Sequence, residues 1–73
     1  MKEFHLKLDI PPGELLRYYE GSAQDVIATA DDGTRVRFPA RALREHVGAA
    51  GVSGRFLLRC DVHYRFVSLD RVW

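Results

Sequence analysis

The chain has 73 residues, 47% of them hydrophobic and 29% charged, the balance of one small globular domain over residues 1–73 and not of a disordered chain. Its net charge of +1 argues against a protein that coats nucleic acid by bulk charge, although the cations are unevenly chosen, nine Arg against two Lys. One Cys excludes an internal disulfide framework, no apolar run approaches the roughly 20 residues of a membrane helix, and Met1-Lys2-Glu3-Phe4-His5 does not open a secretory leader, so the expected compartment is the reducing cytoplasm.

Phe4, Leu6, Leu8 and Ile10 alternate with His5, Lys7 and Asp9, which predicts a half-buried first strand. Pro11-Pro12 ends it. Pro12 suits the first turn of a helix and Glu14 suits its positive end. Leu15, Leu16 and Tyr19 then share a helical face, and Gly21 supplies a left-handed stop after about two turns. Val26 to Ala30 is the second strand, followed by a hairpin turn with two readings. A two-residue loop at Asp32-Gly33 pairs Ile27 with Phe38. A three-residue loop, Asp31-Asp32 with Gly33 left-handed, pairs Val26 with Phe38 and Ala28 with Val36. The second is preferred, because it sets apolar residues opposite apolar residues. In either register Val36 and Phe38 share one face and Arg35 and Arg37 the other.

Phe38-Pro39-Ala40 leads into a second short helix, with Leu43 and Val47 inward and Arg41 and Glu45 as a weak outer pair four residues apart. Gly48 to Gly54 reads as a small-residue loop. Arg55 to Cys60 resumes alternation, with Phe56, Leu58 and Cys60 on one side and Arg55, Leu57 and Arg59 on the other. Asp61 to Tyr64 turns the chain into a last strand, Arg65 to Val72, in which Phe66 and Leu69 stand an odd distance apart. A bulge or two-sided burial would explain that spacing. The predicted fold is therefore α+β, a small bent antiparallel sheet or partial barrel in the order β-α-β-β-α-β-β. Ile10-Pro11 with Leu15, and Phe38-Pro39 with Leu43, form a faint echo of one another.

No reaction is specified by the remaining residues. Cys60-Asp61-Val62-His63 is a lone C-x-x-H, His5 and His46 would have to converge on it from elsewhere, and a structural zinc site needs four ligands. Cys60 reads as a small buried hydrophobe. The glycines at 48, 51 and 54 follow a helix C-terminus, the wrong end for phosphate. The carboxylates are turn formers or helix-surface residues. No catalytic residue, metal or cofactor is expected.

What stands out is arginine. If the strands share one sheet, His5, Lys7, Arg35, Arg37, Arg55 and Arg59 project from its polar face, with Arg65 and Arg71 as further candidates and Arg41 at the strand-to-helix corner. Arg favours bidentate recognition of phosphate and carboxylate. The expected function is a non-enzymatic interaction or accessory module that contacts an acidic partner through this face. Nucleic acid is the alternative, although exposed rings for base stacking are few, Tyr64 and Trp73 being the candidates. Arg37-x-x-x-Arg41 also matches the arginine spacing of cyclic-dinucleotide-binding PilZ domains, but the D/N-x-S-x-x-G partner motif is missing. A homodimer that hides a sheet edge or Trp73 would help so small a core.

Leu16-x-x-Tyr19-x-Gly21, Asp32-Gly33-x-x-Val36-x-Phe38-Pro39-Ala40-x-x-Leu43-Arg44, Gly51-Val52-x-Gly54-x-Phe56 and Phe66-Val67-Ser68-Leu69-Asp70-Arg71 resemble a family of small bacterial single-domain proteins catalogued as a domain of unknown function. The resemblance covers nearly the whole chain. It brings no activity, cofactor or catalytic residue with it, and its turn glycines and apolar anchors imply a binding or accessory protein rather than an enzyme.

Overall fold

The structure, a computed structural model, describes residues 1–20 and 24–72; the expectations for Gly21, Trp73 and the side chain of Tyr19 lie outside them. The elements run β1 (Lys2–Ile10), α1 (Pro12–Tyr19), β2 (Asp25–Thr29), β3 (Arg35–Pro39), a 3-10 helix (Ala40–His46), β4 (Val52–Cys60) and β5 (Phe66–Arg71). The α+β class, the element order and the antiparallel pairing are those that the sequence predicts. The strands divide between two sheets, β1-β4-β5 and the hairpin β2-β3.

β1 and β4 pair over nine residues, from Lys2 opposite Cys60 to Ile10 opposite Val52. Alternation then does the sorting, and Leu6, Leu8, Ile10, Val52, Phe56, Leu58 and Cys60 all point inward. β4 starts at Val52 rather than at Arg55. The sequence hides this start because Gly54 breaks the apolar pattern; in the strand it faces Leu8 with φ 139°, a backbone conformation that favours glycine. The tight turn before it is built by Gly48 and Gly51, which exchange backbone hydrogen bonds of 2.8 and 3.0 Å. Gly51 has φ 89°, and a Cβ there would lie 2.0 Å from the Ile10 carbonyl oxygen.

The hairpin adopts the three-residue loop, with Val26 opposite Phe38 and Ala28 opposite Val36. Ala30 N–H donates to Thr34 O at 2.8 Å, Gly33 N–H donates to Ala30 O at 2.9 Å, and Gly33 has φ 90°. Val26, Ala30, Val36 and Phe38 join the inner residues of the three-stranded sheet, together with Leu15 and Leu43, in one buried cluster. The two prolines at the strand-to-helix corners, Pro11 and Pro39, have nearly equal backbone angles (φ −67° and −68°). Leu15 and Leu43, four residues after each, are both buried.

Both helices depart from the sequence reading in their faces. In α1, Leu15 is buried but Leu16 is 55% exposed; Tyr18, three residues on, packs against the core instead. The second helix is 3-10, so residues three apart eclipse one another. Ala40, Leu43 and His46 therefore form its inner line, Val47 is 41% exposed, and the Arg41–Glu45 ion pair does not form. His46 Nε2–H donates to the Leu69 carbonyl at 2.8 Å and its ring meets Phe56 edge-on at 5.0 Å. The helix thereby caps the outer edge of β5 at Leu69. The odd spacing of Phe66 and Leu69 is resolved by a bulge: Arg59 faces Ser68 while Cys60 faces Phe66, leaving Val67 as the extra residue.

Candidate functional site

Two sheets mean two separate sets of cations. Lys7, Arg55 and Arg59 stand on the outer face of the β1-β4-β5 sheet. Lys7 lies directly opposite Arg55, an unfavourable like-charge neighbour. The structure relieves this by bringing Asp31 over from the hairpin turn: its backbone N–H donates to the His5 carbonyl at 2.8 Å and its carboxylate pairs with Arg55. Arg59 is likewise held between Glu3 at 3.1 Å and Asp70 at 3.8 Å. Arg65 pairs with Asp61, and Arg71 lies over the Phe56 ring and donates to the Ser53 carbonyl. These arginines are already engaged inside the molecule.

Arg35 and Arg37 are not. They lie on the outer face of β3, where β2 presents Thr29 and Ile27 opposite them, and among the described residues neither forms an ion pair. Ile27, 57% exposed, lies directly opposite Arg37 as an apolar neighbour and lines a shallow pocket together with both arginines. Arg41 is placed elsewhere: it sits 5.8 Å over the Phe66 ring and lines a groove between the 3-10 helix and β5, which Glu45 and Asp70 share. Arg37 and Arg41 thus line different grooves despite their spacing in sequence. Arg44 joins Arg41 in that mixed-charge groove.

Beside β3 runs a second groove of about 400 Å³, lined by Phe4, Thr34, Arg35, Val36, Arg37, Cys60 and Tyr64. Phe4, Val36 and Cys60 give it an apolar lining, and among the described residues its only charged lining side chains are the two arginines. Burial pushes the Cys60 thiol up from its ordinary value, and the negative charge of Asp61 adds to this, so the thiol stays neutral at the end of the groove.

The wall opposite Arg35 and Arg37 is the loop between β4 and β5. Asp61 N–H donates to Arg65 O and Tyr64 N–H donates to Asp61 O, at 2.9 and 3.0 Å, the same pair of bonds that closes the β2-β3 hairpin. The left-handed position that Gly33 fills in the hairpin is filled here by Tyr64, with φ 62°. The Asp61 carboxylate holds the loop, accepting from the His63 and Arg65 backbone N–H groups at 2.8 and 2.9 Å and from the Arg65 guanidinium. These bonds, led by the one from the Arg65 backbone, hold its carboxyl below the usual range. Tyr64 itself is 62% exposed, with the Lys2 ammonium 4.9 Å from its ring centroid.

The groove was only half legible in the sequence. The alternation of Arg35 and Arg37 marks their face. The apposition of Phe4, Cys60 and Tyr64 against β3 is long-range and leaves no local pattern; the one sequence signal is a tyrosine at a turn position that glycine or asparagine would fill more easily. Among the described residues, no three His, Cys, Asp or Glu side chains gather as a metal site, and no helix is long and apolar enough to cross a membrane.

A family model described as a protein of unknown function, DUF2835, matches residues 2–72 of the chain. Searches of curated proteins and of solved structures found no match.

Proposed function

The chain belongs to the DUF2835 family, and we propose that it is a non-catalytic, cytoplasmic interaction module that contacts an acidic protein partner through the β3 arginines. One observation carries this reading. Arg55, Arg59 and Arg65 are each neutralised by an acid of the same chain, whereas Arg35 and Arg37 stand unpaired beside an apolar groove. Two exposed guanidinium groups on one strand face, without carboxylates, are a site for an external carboxylate or phosphate. A free, buried thiol suits a reducing compartment.

Nucleic acid is the second reading, supported by Tyr64 as an exposed ring close to both arginines. Binding measured against salt separates the two. A nucleic-acid complex loses about one unit of salt slope per phosphate-contacting Arg removed. A pull-down from lysate with and without nuclease shows whether the retained partner depends on nucleic acid. If Arg35→Ala with Arg37→Ala leaves every retained interaction intact, the arginine face is not the contact and the proposal fails.

A further inference from the structure

Among the described residues, β3 is hydrogen-bonded on one edge only. The hairpin ladder fixes what its other edge offers. Ala30 and Thr34 form a hydrogen-bonded pair, so in the alternation of an antiparallel ladder Ala28–Val36 and Val26–Phe38 are bonded pairs too. Arg35 and Arg37 fall at the intervening positions, where N–H and C=O point away from the partner strand. The open edge therefore carries two donors and two acceptors on the same residues whose side chains are unpaired. The other sheet treats its edges differently: β5 is met by His46 and β1 by Asp31.

We propose that this edge takes an extended acidic segment of a partner protein as an additional antiparallel strand. The inference rests on the acidic-partner reading above. On the added strand, the residues opposite Arg35 and Arg37 lie on the same face as the guanidinium groups, and carboxylates there form cross-strand charge pairs. The alternate residues turn to the other face, over Val36 and toward Phe4, Cys60 and Tyr64, where apolar side chains fit. The ligand is thus an alternating acidic–apolar strand, with main-chain bonds supplying affinity and the alternation supplying specificity.

The edge disfavours the two competing occupants. A sugar–phosphate backbone presents chiefly acceptors, which cannot satisfy the carbonyls of Arg35 and Arg37. A second copy pairing through its own β3 would set arginine against arginine, the device by which edges resist self-association.

The probe is a fluorescein-labelled, end-capped eight-residue peptide alternating glutamate and valine, titrated against the full chain by anisotropy. Three further peptides accompany it: the same composition in two blocks, one N-methylated on the glutamate amides, and one N-methylated on the valine amides. The glutamate amides donate to Arg35 and Arg37, so their methylation weakens binding at least about tenfold, while valine methylation changes it little. The block peptide binds weakly. Arg35→Glu with Arg37→Glu abolishes binding of the glutamate peptide and creates binding of a lysine–valine peptide. If both methylated peptides bind as well as their parent, strand addition is wrong while the charge reading stands. If Arg35→Ala with Arg37→Ala binds the parent peptide normally, the charge reading falls as well. Preference for a single-stranded oligonucleotide, or a homodimer in sedimentation that the peptide does not dissociate, also overturns the proposal.

Discussion

Tyr64 holds a left-handed backbone (φ 62°) in a loop closed by the same two hydrogen bonds as the Asp31–Gly33 turn. A side chain in that conformation costs roughly 1–2 kcal/mol, a cost that glycine avoids. The residue that carries this backbone strain presents an exposed ring to the groove beside Arg35 and Arg37. Tyr64→Gly is therefore expected to raise stability by about 0.5–1 kcal/mol in urea unfolding and to weaken peptide binding; a loss of stability would show that the tyrosine is not strained. Gly51 is the opposite case. Its φ is 89° and a Cβ would run into the Ile10 carbonyl, a backbone atom that cannot swing aside. Gly51→Ala should cost at least about 2 kcal/mol or leave no folded protein, as read by thermal melting.

At the scale of elements, the 3-10 helix and the β4-β5 loop are each held by one polar residue. His46 ties the helix to Leu69 of β5 and packs on Phe56, so His46→Ala should cost about 1–3 kcal/mol and leave the β5 edge open, seen as faster amide exchange in the β5 strand. Asp61 organises the other loop through three accepted hydrogen bonds, and its carboxyl is held below its ordinary value. A carboxyl with a depressed folded-state pKa stabilises the fold above the unfolded value and loses that contribution as pH falls through the folded one. Asp32, lowered first by the Thr34 backbone N–H, acts with the same sign. The stability difference between the wild type and Asp61→Asn should therefore be steady above about pH 5 and shrink below about pH 4. A difference that does not change between pH 2 and 6 would rule this out.

For the molecule as a whole, the division of cations predicts a division of phenotypes. Exposed pairs such as Arg55–Asp31 and Arg59–Glu3 contribute about 0–1 kcal/mol each, so Arg55→Ala and Arg59→Ala should lower stability slightly and leave ligand binding unchanged. Arg35→Ala with Arg37→Ala should do the reverse, with unfolding midpoints kept and binding lost. An equal effect of all four on binding would mean that the charge acts diffusely rather than at β3. Small size sharpens this division: a 73-residue chain with no disulfide relies on one core.

Local periodicity was enough for much of this. Alternation over Phe4–Ile10 and over Phe56–Cys60, the apolar match of Val26 with Phe38 and Ala28 with Val36, and the corner prolines determine the elements, the hairpin register and the opposite faces of Val36 and Arg37, because side-chain direction in a strand follows from parity alone. Parity also singled out Arg35, Arg37, Arg55 and Arg59 as outward residues. Which of them remain free for a partner depended on where Asp31, Glu3 and Asp70 arrive in space, and that is a property of the chain's closure rather than of any window of sequence. The same holds for the second helix. Its 3-10 winding, which turns His46 inward and Val47 out, is set by packing against β5, and a seven-residue segment is too short for its own propensities to choose. The split into two sheets, the open edge of β3 and the groove that Tyr64 lines are likewise tertiary facts, since they bring β3 together with residues more than 20 positions away in the chain.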